Sequence, residues 1–327
     1  MLNKLGLVQA VSGQEDGMRE VLIKNLSGCC DTLKTDGMGN LIAIKKGTNP
    51  DLKLFLLAPM DEAGIIVSRI TEDGYLKFHT VGRIRPEFLV SKRVVIHGHC
   101  GVIALKAIHL ATKEERERPV KEEDLLIDIG ADSKKDAEAI VTVGDYGTID
   151  SAFLPFGDEL VKGSGLGSKI SCALAVELLQ QTLPVTLEVA FVAQHEIGCR
   201  GTVTALRQLT AEHGILLGGI PQGEDVLCHQ GPVLFFHVMQ KEDMDAIQSL
   251  AKTIGIPLQT RFLKESGQEA VFAQNRTGKR YLGLGIPVRY QESAAQVASL
   301  RDKDMLFKLL KGWIDAYANG GFWNGNQ

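Results

Sequence analysis

Two kinds of hydrophobic pattern take turns along this chain. The run from Leu187 to Ala193 is almost wholly apolar and carries the β-formers Val189, Phe191 and Val192. That is the pattern of a strand buried on both faces of a sheet, and it predicts a strand over Val185–Ala193. Leu54–Ala58 is a second run of this kind, and further strands are predicted over Ile215–Leu217, Pro232–Val238 and Leu258–Phe262, with the segment Gly285–Tyr290 after them. Between them lie segments of helical period. In Lys169–Gln180 the residues Ile170, Ala173, Leu174, Val176, Leu178 and Leu179 are apolar, and helices are also predicted over Thr202–Leu209, Asp243–Ile254 and Asp302–Tyr317. Met1–Ala10 reads as the first turns of an amphipathic helix. Strands alternating with helices predict a three-layer α/β/α sandwich.

The period changes near Ile65. From there to about Asp158 short strands are predicted at Ile65–Ile70, Tyr75–Phe78, Arg93–Ile96 and Gly101–Ile108, with turn residues between them, as in a small β-barrel or sandwich. A charged loop runs from Lys113 to Asp124, and Ser133 is placed to cap a short helix. The expected organisation is an α/β domain made of residues 1–65 and 159–327, interrupted by a β domain over 66–158. Two local signals add detail. Ser12-Gly13-Gln14-Glu15 has the form of a capping box, with a helix following to about Asn25. Asp36-Gly37-Met38-Gly39-Asn40 separates two alternating runs between Leu33 and Ile44 and predicts a hairpin. Asn319–Gln327 is expected to be a mobile tail.

Composition narrows the function. Of 327 residues, 44% are hydrophobic and 23% charged, and the net charge of −4 argues against a nucleic-acid or acidic-membrane partner. No apolar run reaches the length of a membrane span, and the N-terminus lacks a basic-then-apolar leader. Cys29, Cys30, Cys100, Cys172, Cys199 and Cys228 show no C-x-x-C spacing. They are expected to be reduced thiols in a cytoplasmic protein.

The candidate chemistry sits where the Val185–Ala193 strand ends. His195-Glu196 follow it, and Gly198 and Gly201 let the chain turn into a helix. Open α/β sheets place their ligand sites at such strand exits. The segment Val192-Ala193-Gln194-His195-Glu196-Ile197-Gly198-Cys199-Arg200-Gly201-Thr202 resembles the V-Q-E-E-V-G-x-R-G-A block of the glutamyl-aminopeptidase-like family of di-zinc aminopeptidases, which includes proteins labelled endoglucanase. Three further stretches resemble the family's S-G-x-E, D-x-x-G-N-x-I and A-H-M-D-E-I-G blocks in order. They begin at Ser12, at Asp36 and at Ala58-Pro59-Met60-Asp61-Glu62. Ile127–Glu138 is close to its I-D-I-G-A-x-S-x-x-E-A signature. The resemblance spans essentially the whole chain and implies an aminopeptidase domain with an inserted barrel that shapes the cavity and the oligomer contacts.

The resemblance also implies five metal positions and one base. The His of A-H-M-D falls on Pro59. The bridging Asp of x-D-D-R or x-D-N-R falls on Gly167, in Gly165-Leu166-Gly167-Ser168-Lys169. The metal Glu of E-E is kept as Glu196. The Asp of A-I-D-V falls near Gly218, and the His of R-Y-x-H-S falls on Glu292. The base position is His195. Pro and Gly offer no side-chain donor, and a two-zinc site needs a bridging carboxylate. The expectation is therefore a family member without the di-zinc peptidase centre, impaired or inactive as a metallo-aminopeptidase, that keeps the cavity and the assembly. The second reading is an active hydrolase rebuilt around a single metal held by His195, Glu196, Glu292 and Asp61, or around an Asp61–His195 acid–base pair. No cofactor is expected under the first reading, and zinc or cobalt under the second. A peptide or small-molecule ligand and a homo-oligomer, at least a dimer and by resemblance a dodecamer, complete the expectation.

Other residues carry weaker signals. His97 and His99, beside Cys100, would share a strand face. Gly163–Gly167 matches a phosphate loop only in glycine content. Ser168 and Ser293 show no His–Asp partners. Gln268-Glu269 replaces the family's Thr-Asp beside the site.

Overall fold

The structure, a computed structural model, describes residues 1–106, 109, 111–236, 240–263 and 277–321. Two helices, α1 (Leu2–Gly6) and α2 (Asp16–Leu26), precede the hairpin of β1 (Thr32–Thr35) and β2 (Leu41–Lys45). The next strand, β3 (Asn49–Pro59), leads into β4 (Gly64–Ile70), β5 (Leu76–Val81), β6 (Arg93–Ile96) and β7 (His99–Leu105). Helix α3 (Lys113–Glu117), β8 (Leu125–Asp128), α4 (Lys134–Glu138) and β9 (Tyr146–Ile149) follow. The chain returns through β10 (Leu154–Pro155) and β11 (Leu160–Gly163) into α5 (Leu166–Leu179), β12 (Val185–Val192), α6 (Arg200–Leu206) and β13 (His213–Pro221). It finishes with β14 (Val233–Phe236), α7 (Lys241–Thr253), β15 (Gln259–Phe262), β16 (Arg280–Arg289), β17 (Gln296–Ser299) and α8 (Leu300–Ala318).

One mixed sheet runs in the order β1-β2-β12-β3-β13-β16-β17-β11-β10, with β14 and β15 branching from β16. Its centre is parallel: β3 lies between β12 and β13, and β13 pairs in parallel with β16. Side chains on these strands alternate between two cores, as the pleat requires. Leu54, Leu56 and Ala58 of β3 and Leu187, Val189 and Phe191 of β12 pack with α2, α5, α7 and α8. Phe55 and Leu57, with Ala190 and Val192, face the other way, toward Ala205 and Leu206 of α6. The continuous apolar runs thus mark strands covered on both faces. The second body is a closed six-stranded barrel, β4-β5-β8-β7-β6-β9, with its own core of Ile65, Val67, Leu76, Phe78, Val94, Ile96, Ile103 and Ile127. The sequence left barrel and sandwich open; closure selects the barrel and removes the exposed strand edges.

Local expectations meet mixed outcomes. The hairpin forms, with Thr35 opposite Leu41, because the Asp36 carboxylate accepts from the amides of Met38 and Asn40. Ser133 caps α4 by accepting from the Asp136 amide. The capping box does not form. Helix α2 starts one residue after Glu15, and that carboxylate instead accepts from the amides of Gly13 at 2.7 Å and Gln194 at 2.9 Å. A long-range tie to the exit of β12 satisfies Glu15 better than its own helix would. His97 and His99 do not share a strand face. His97 and Gly98, both at positive φ, make the turn of the β6–β7 hairpin, where Ile96 pairs with His99. There His97 meets Asp145 at 2.9 Å. The charged Lys113–Asp124 segment is partly helical rather than a plain loop. Gln268-Glu269 lie outside the described residues.

Candidate active site

The parallel strands β3, β12 and β13 all point their C-terminal ends at one cavity of about 470 Å³. Its wall includes Pro59 from the end of β3, His195 and Glu196 from the exit of β12, and Gly167 and Ser168 from the first turn of α5. Gly218 and Gly219 from β13 and Gln291 and Glu292 from the loop after β16 complete the sheet side. Arg83, Ile84 and Phe88, from the loop after β5, close it from the barrel side. Every position that the sequence singled out for metal or base chemistry, except Asp61, therefore lines this one cavity.

Asp61 is fully buried and lies outside the lining. Its Oδ2 accepts from the Glu196 amide at 2.9 Å. Burial pushes this carboxyl above its ordinary value, and the charge of nearby His195 partly offsets that. Glu196 is also raised, first by burial and then by repulsion from Asp61, and Glu15 for the same two reasons. The His195 ring has the Cys199 thiol 3.3 Å from Nδ1, while that thiol also sits 3.4 Å from the His195 carbonyl. Across the cavity Glu292 is 54% exposed and 3.9 Å from Arg85, whose amide also bonds the Glu292 carbonyl.

Whether these residues suit a metal can be tested on two features. Among the described residues no three His, Cys, Asp or Glu side chains stand together as a metal-holding group. Of the residues expected in a single rebuilt site, His195, Glu196 and Glu292 line the cavity, whereas Asp61 accepts from the Glu196 amide behind it and Glu292 lies beside Arg85. The second feature is steric. A Cβ on Gly167 would lie 2.8 Å from both Cα and N of Gly219, so α5 and β13 approach more closely than any side chain there allows. Gly218 is different: the nearest atom to a Cβ there is Phe235 Cζ at 3.7 Å. The donor set and the space at Gly167 do not fit a carboxylate-bridged metal pair.

The structure adds residues that the sequence reading passed over. Glu62 and Lys169 form an ion pair of 3.0 Å with side chains only 4% and 2% exposed. Glu62 Oε1 also accepts from the Ala10 amide, and Lys169 Nζ reaches Ser164 Oγ at 3.2 Å. Ser164 lines the cavity on the turn between β11 and α5. The signal was present: Lys169 is the one cation of a mostly apolar helix and lies in its first turn, where a solvated lysine would be the usual guess.

A mixed sheet whose parallel centre opens onto a cavity capped by an inserted barrel is the architecture of the barrel-bearing aminopeptidases. The family model described as M42 glutamyl aminopeptidase matches residues 39–309, and the chain belongs to that family. It is 29% identical to the Escherichia coli (strain K12) protein named aminopeptidase FrvX, over 96% of this chain and 94% of that one. A TET aminopeptidase from a marine sediment Thaumarchaeota archaeon superposes with a TM-score of 0.90 at 25% identity, covering 98% of each chain. The Pyrococcus horikoshii TET1 peptidase, described as assembling into a tetrahedron or a large octahedral shell, gives 0.84 at 25% identity, over 96% and 98%. No helix among the described residues is long and apolar enough to cross a membrane.

Proposed function

We propose that this chain keeps the ligand cavity and the assembly of its family but lacks the two-metal peptidase centre, and so is impaired or inactive as a metallo-aminopeptidase. The observation that carries the reading is the close approach of Gly167 to Gly219. Any bridging side chain at Gly167 would collide with backbone at 2.8 Å, and backbone does not yield as a side-chain tip does. Pro59 and Gly218 add two further positions with no donor. Glu196 and Glu292 are remnants of the metal set, with backbone or side chain of Arg83 and Arg85 beside them. The cavity volume suits a short peptide or another small molecule.

The assembly part of the reading is a homo-oligomer, at least a dimer and extending to a dodecamer, with the inserted domain over 66–158 supplying contacts. The shells named for the TET1 peptidase support it. Exposed Leu154 and Phe156 beside the barrel and Val102 and Leu105 on it are apolar surface that such contacts would cover. A cytoplasmic location is part of the proposal, supported by free cysteines throughout the described residues. The test is metal content of the purified protein, with peptide hydrolysis assayed under added zinc, cobalt and manganese. We expect no stoichiometric pair of metals and no metal-stimulated turnover. Two equivalents of transition metal per chain, with turnover lost to a chelator, would overturn the reading. Light scattering tests the assembly, where a mass of 35.5 kDa, one chain, would refute it.

A further inference from the structure

We propose that Ser164 is the nucleophile of a metal-independent acyl-transfer activity in this cavity, with Lys169 and Glu62 as its proton relay. The inference rests on the reading above, since a two-metal centre would make this serine superfluous.

The geometry supplies each part that acyl transfer needs. Ser164 stands on a tight strand-to-helix turn, with Gly165 at φ +56 in the left-handed region, and its side chain reaches the cavity. Lys169 Nζ, at 3.2 Å, is the sole hydrogen-bond partner of its hydroxyl among the described residues. Nζ in turn is held by Glu62 Oε2 at 3.0 Å, and Glu62 is fixed by the Ala10 amide at 3.1 Å. Nucleophile, proton acceptor and orienting carboxylate thus form a chain closed to solvent at its far end. Lysine matters here. The family's x-D-D-R block would put an arginine at this position, and a guanidinium does not release a proton, whereas an ammonium does. The amides of Gly167 and Ser168 lie in the first turn of the 14-residue helix α5, where no helical carbonyl precedes them, and both residues line the cavity. They are suited to face an oxyanion. The Leu166 amide is already taken by Gln296 Oε1 at 2.8 Å.

Ser164 Oγ bonds to the acyl carbon while its proton passes to Nζ and Nζ passes one to Glu62 Oε2; the carbonyl π electrons move onto oxygen. Collapse of the tetrahedral species breaks the bond to the leaving alcohol or amine, which takes a proton from Nζ as Glu62 returns its own. Water then attacks the acyl-serine by the same relay and releases the acid. The cavity wall also carries Glu196, Glu292 and Gln291, whose Oε1 is buried with no partner among the described residues. Arg83 and Arg85 stand beside the two carboxylates, which leaves Gln291 Oε1 as the acceptor for a substrate N–H, so the substrate class is an acyl ester or amide that carries one, such as an aminoacyl ester.

The experiment treats the full chain with a fluorophosphonate, which phosphonylates activated serines, and reads the adduct by intact mass and peptide mapping in the presence of a chelator. We expect one adduct, on Ser164, absent from Ser164→Ala and kept by Ser293→Ala, a second serine of the cavity lining. Lys169→Arg keeps the cation and loses the relay, so labelling and the hydrolysis of an amino-acid p-nitrophenyl ester should slow by about 100-fold or more. Glu62→Gln gives a second reading of the relay if the arginine variant does not fold. No adduct, an adduct that survives Ser164→Ala, or labelling indifferent to both Lys169→Arg and Glu62→Gln overturns the proposal. Metal content separates the two failures: absent metal with no adduct sinks this inference alone, and two bound metals sink the reading beneath it.

Discussion

Behind Ser164, Glu62 and Lys169 are paired almost out of reach of solvent, whereas at the rim Glu292 faces Arg85 at 3.9 Å with more than half of each side chain exposed. Both are carboxylate–cation pairs at the same cavity, yet they obey different physics. The inner pair has no water to fall back on, so each charge depends on the other. The outer pair is screened and contributes little. The glycines divide the same way. Gly167 is pressed against Gly219, and Gly218 has open space before it. The difference teaches that a lost ligand position can be either closed by backbone or merely vacated, and that only the second kind is open to reversal.

The largest expected effect comes from breaking the inner pair. Lys169→Met leaves the Glu62 carboxylate buried and unpaired, which costs about 3–5 kcal/mol. Urea unfolding should show it. Glu62→Leu combined with Lys169→Met should recover much of that loss, because it removes both charges. A loss below about 1 kcal/mol for the single variant would mean that water reaches the pair, and the contrast with the rim would collapse. Glu292→Gln, by comparison, should change stability by less than about 1 kcal/mol.

Next comes Gly167→Ala. Alanine is the better helix former, so propensity alone would favour it by about 1 kcal/mol. The collision with Gly219 should outweigh that and destabilise by about 1–3 kcal/mol. The same clash makes Pro59→His, Gly167→Asp, His195→Glu, Gly218→Asp and Glu292→His together insufficient to restore a two-metal centre unless α5 also shifts. Metal binding by that fivefold variant would be the measurement against it.

Much of this architecture was legible in the residues and much of the site was not. Buried parallel strands announce themselves because both faces need apolar side chains, as Leu54–Ala58 and Leu187–Val192 do. Asp36 marks its turn because the amides of Met38 and Asn40 are within reach of its carboxylate. What failed were features decided by distant partners. Glu15 looks like a helix cap, but the amide of Gln194, 179 residues away, draws it elsewhere. The strand β13 runs to Pro221, beyond the expected Leu217, because its parallel ladder with β16 continues through Gly218 and Gly219 to Pro221 opposite Val288. Lys169 looks solvated until Glu62 is placed beside it. The positions around the cavity could be lined up by resemblance, but not the steric closure at Gly167.

The pH dependence sharpens the account of the buried acids. Asp61 is raised above its ordinary 3.8 by burial, with His195 opposing and Glu15 and Glu196 facing it as further acids. A raised carboxyl binds its proton more tightly in the folded state. Its contribution is therefore fully present below pH 3.8 and is lost as pH rises through the raised folded value. Asp61→Asn should flatten this fall in a series of urea titrations upward from pH 3.8. If the variant keeps the full slope, Asp61 is not the group responsible.

The smallest effect is the most pointed. Gly218→Ala puts a methyl into ordinary contact, 3.7 Å from Phe235 Cζ and 3.9 Å from Cε1, with no backbone atom in the way. Gly218 is not among the residues at positive φ, so alanine meets no conformational penalty. A strand glycine also carries extra freedom into the unfolded chain, and alanine reduces it. The substitution should therefore stabilise by about 0.4–1 kcal/mol, opposite in sign to the same change at Gly167. The two variants measured side by side by thermal and urea unfolding isolate what the two positions do not share, which is the contact between α5 and β13. If both stabilise, that contact yields readily, and a carboxylate at Gly167 becomes sterically admissible again. Should both destabilise, the cavity wall at β13 is as tightly set as the helix, and Gly218 was closed rather than vacated.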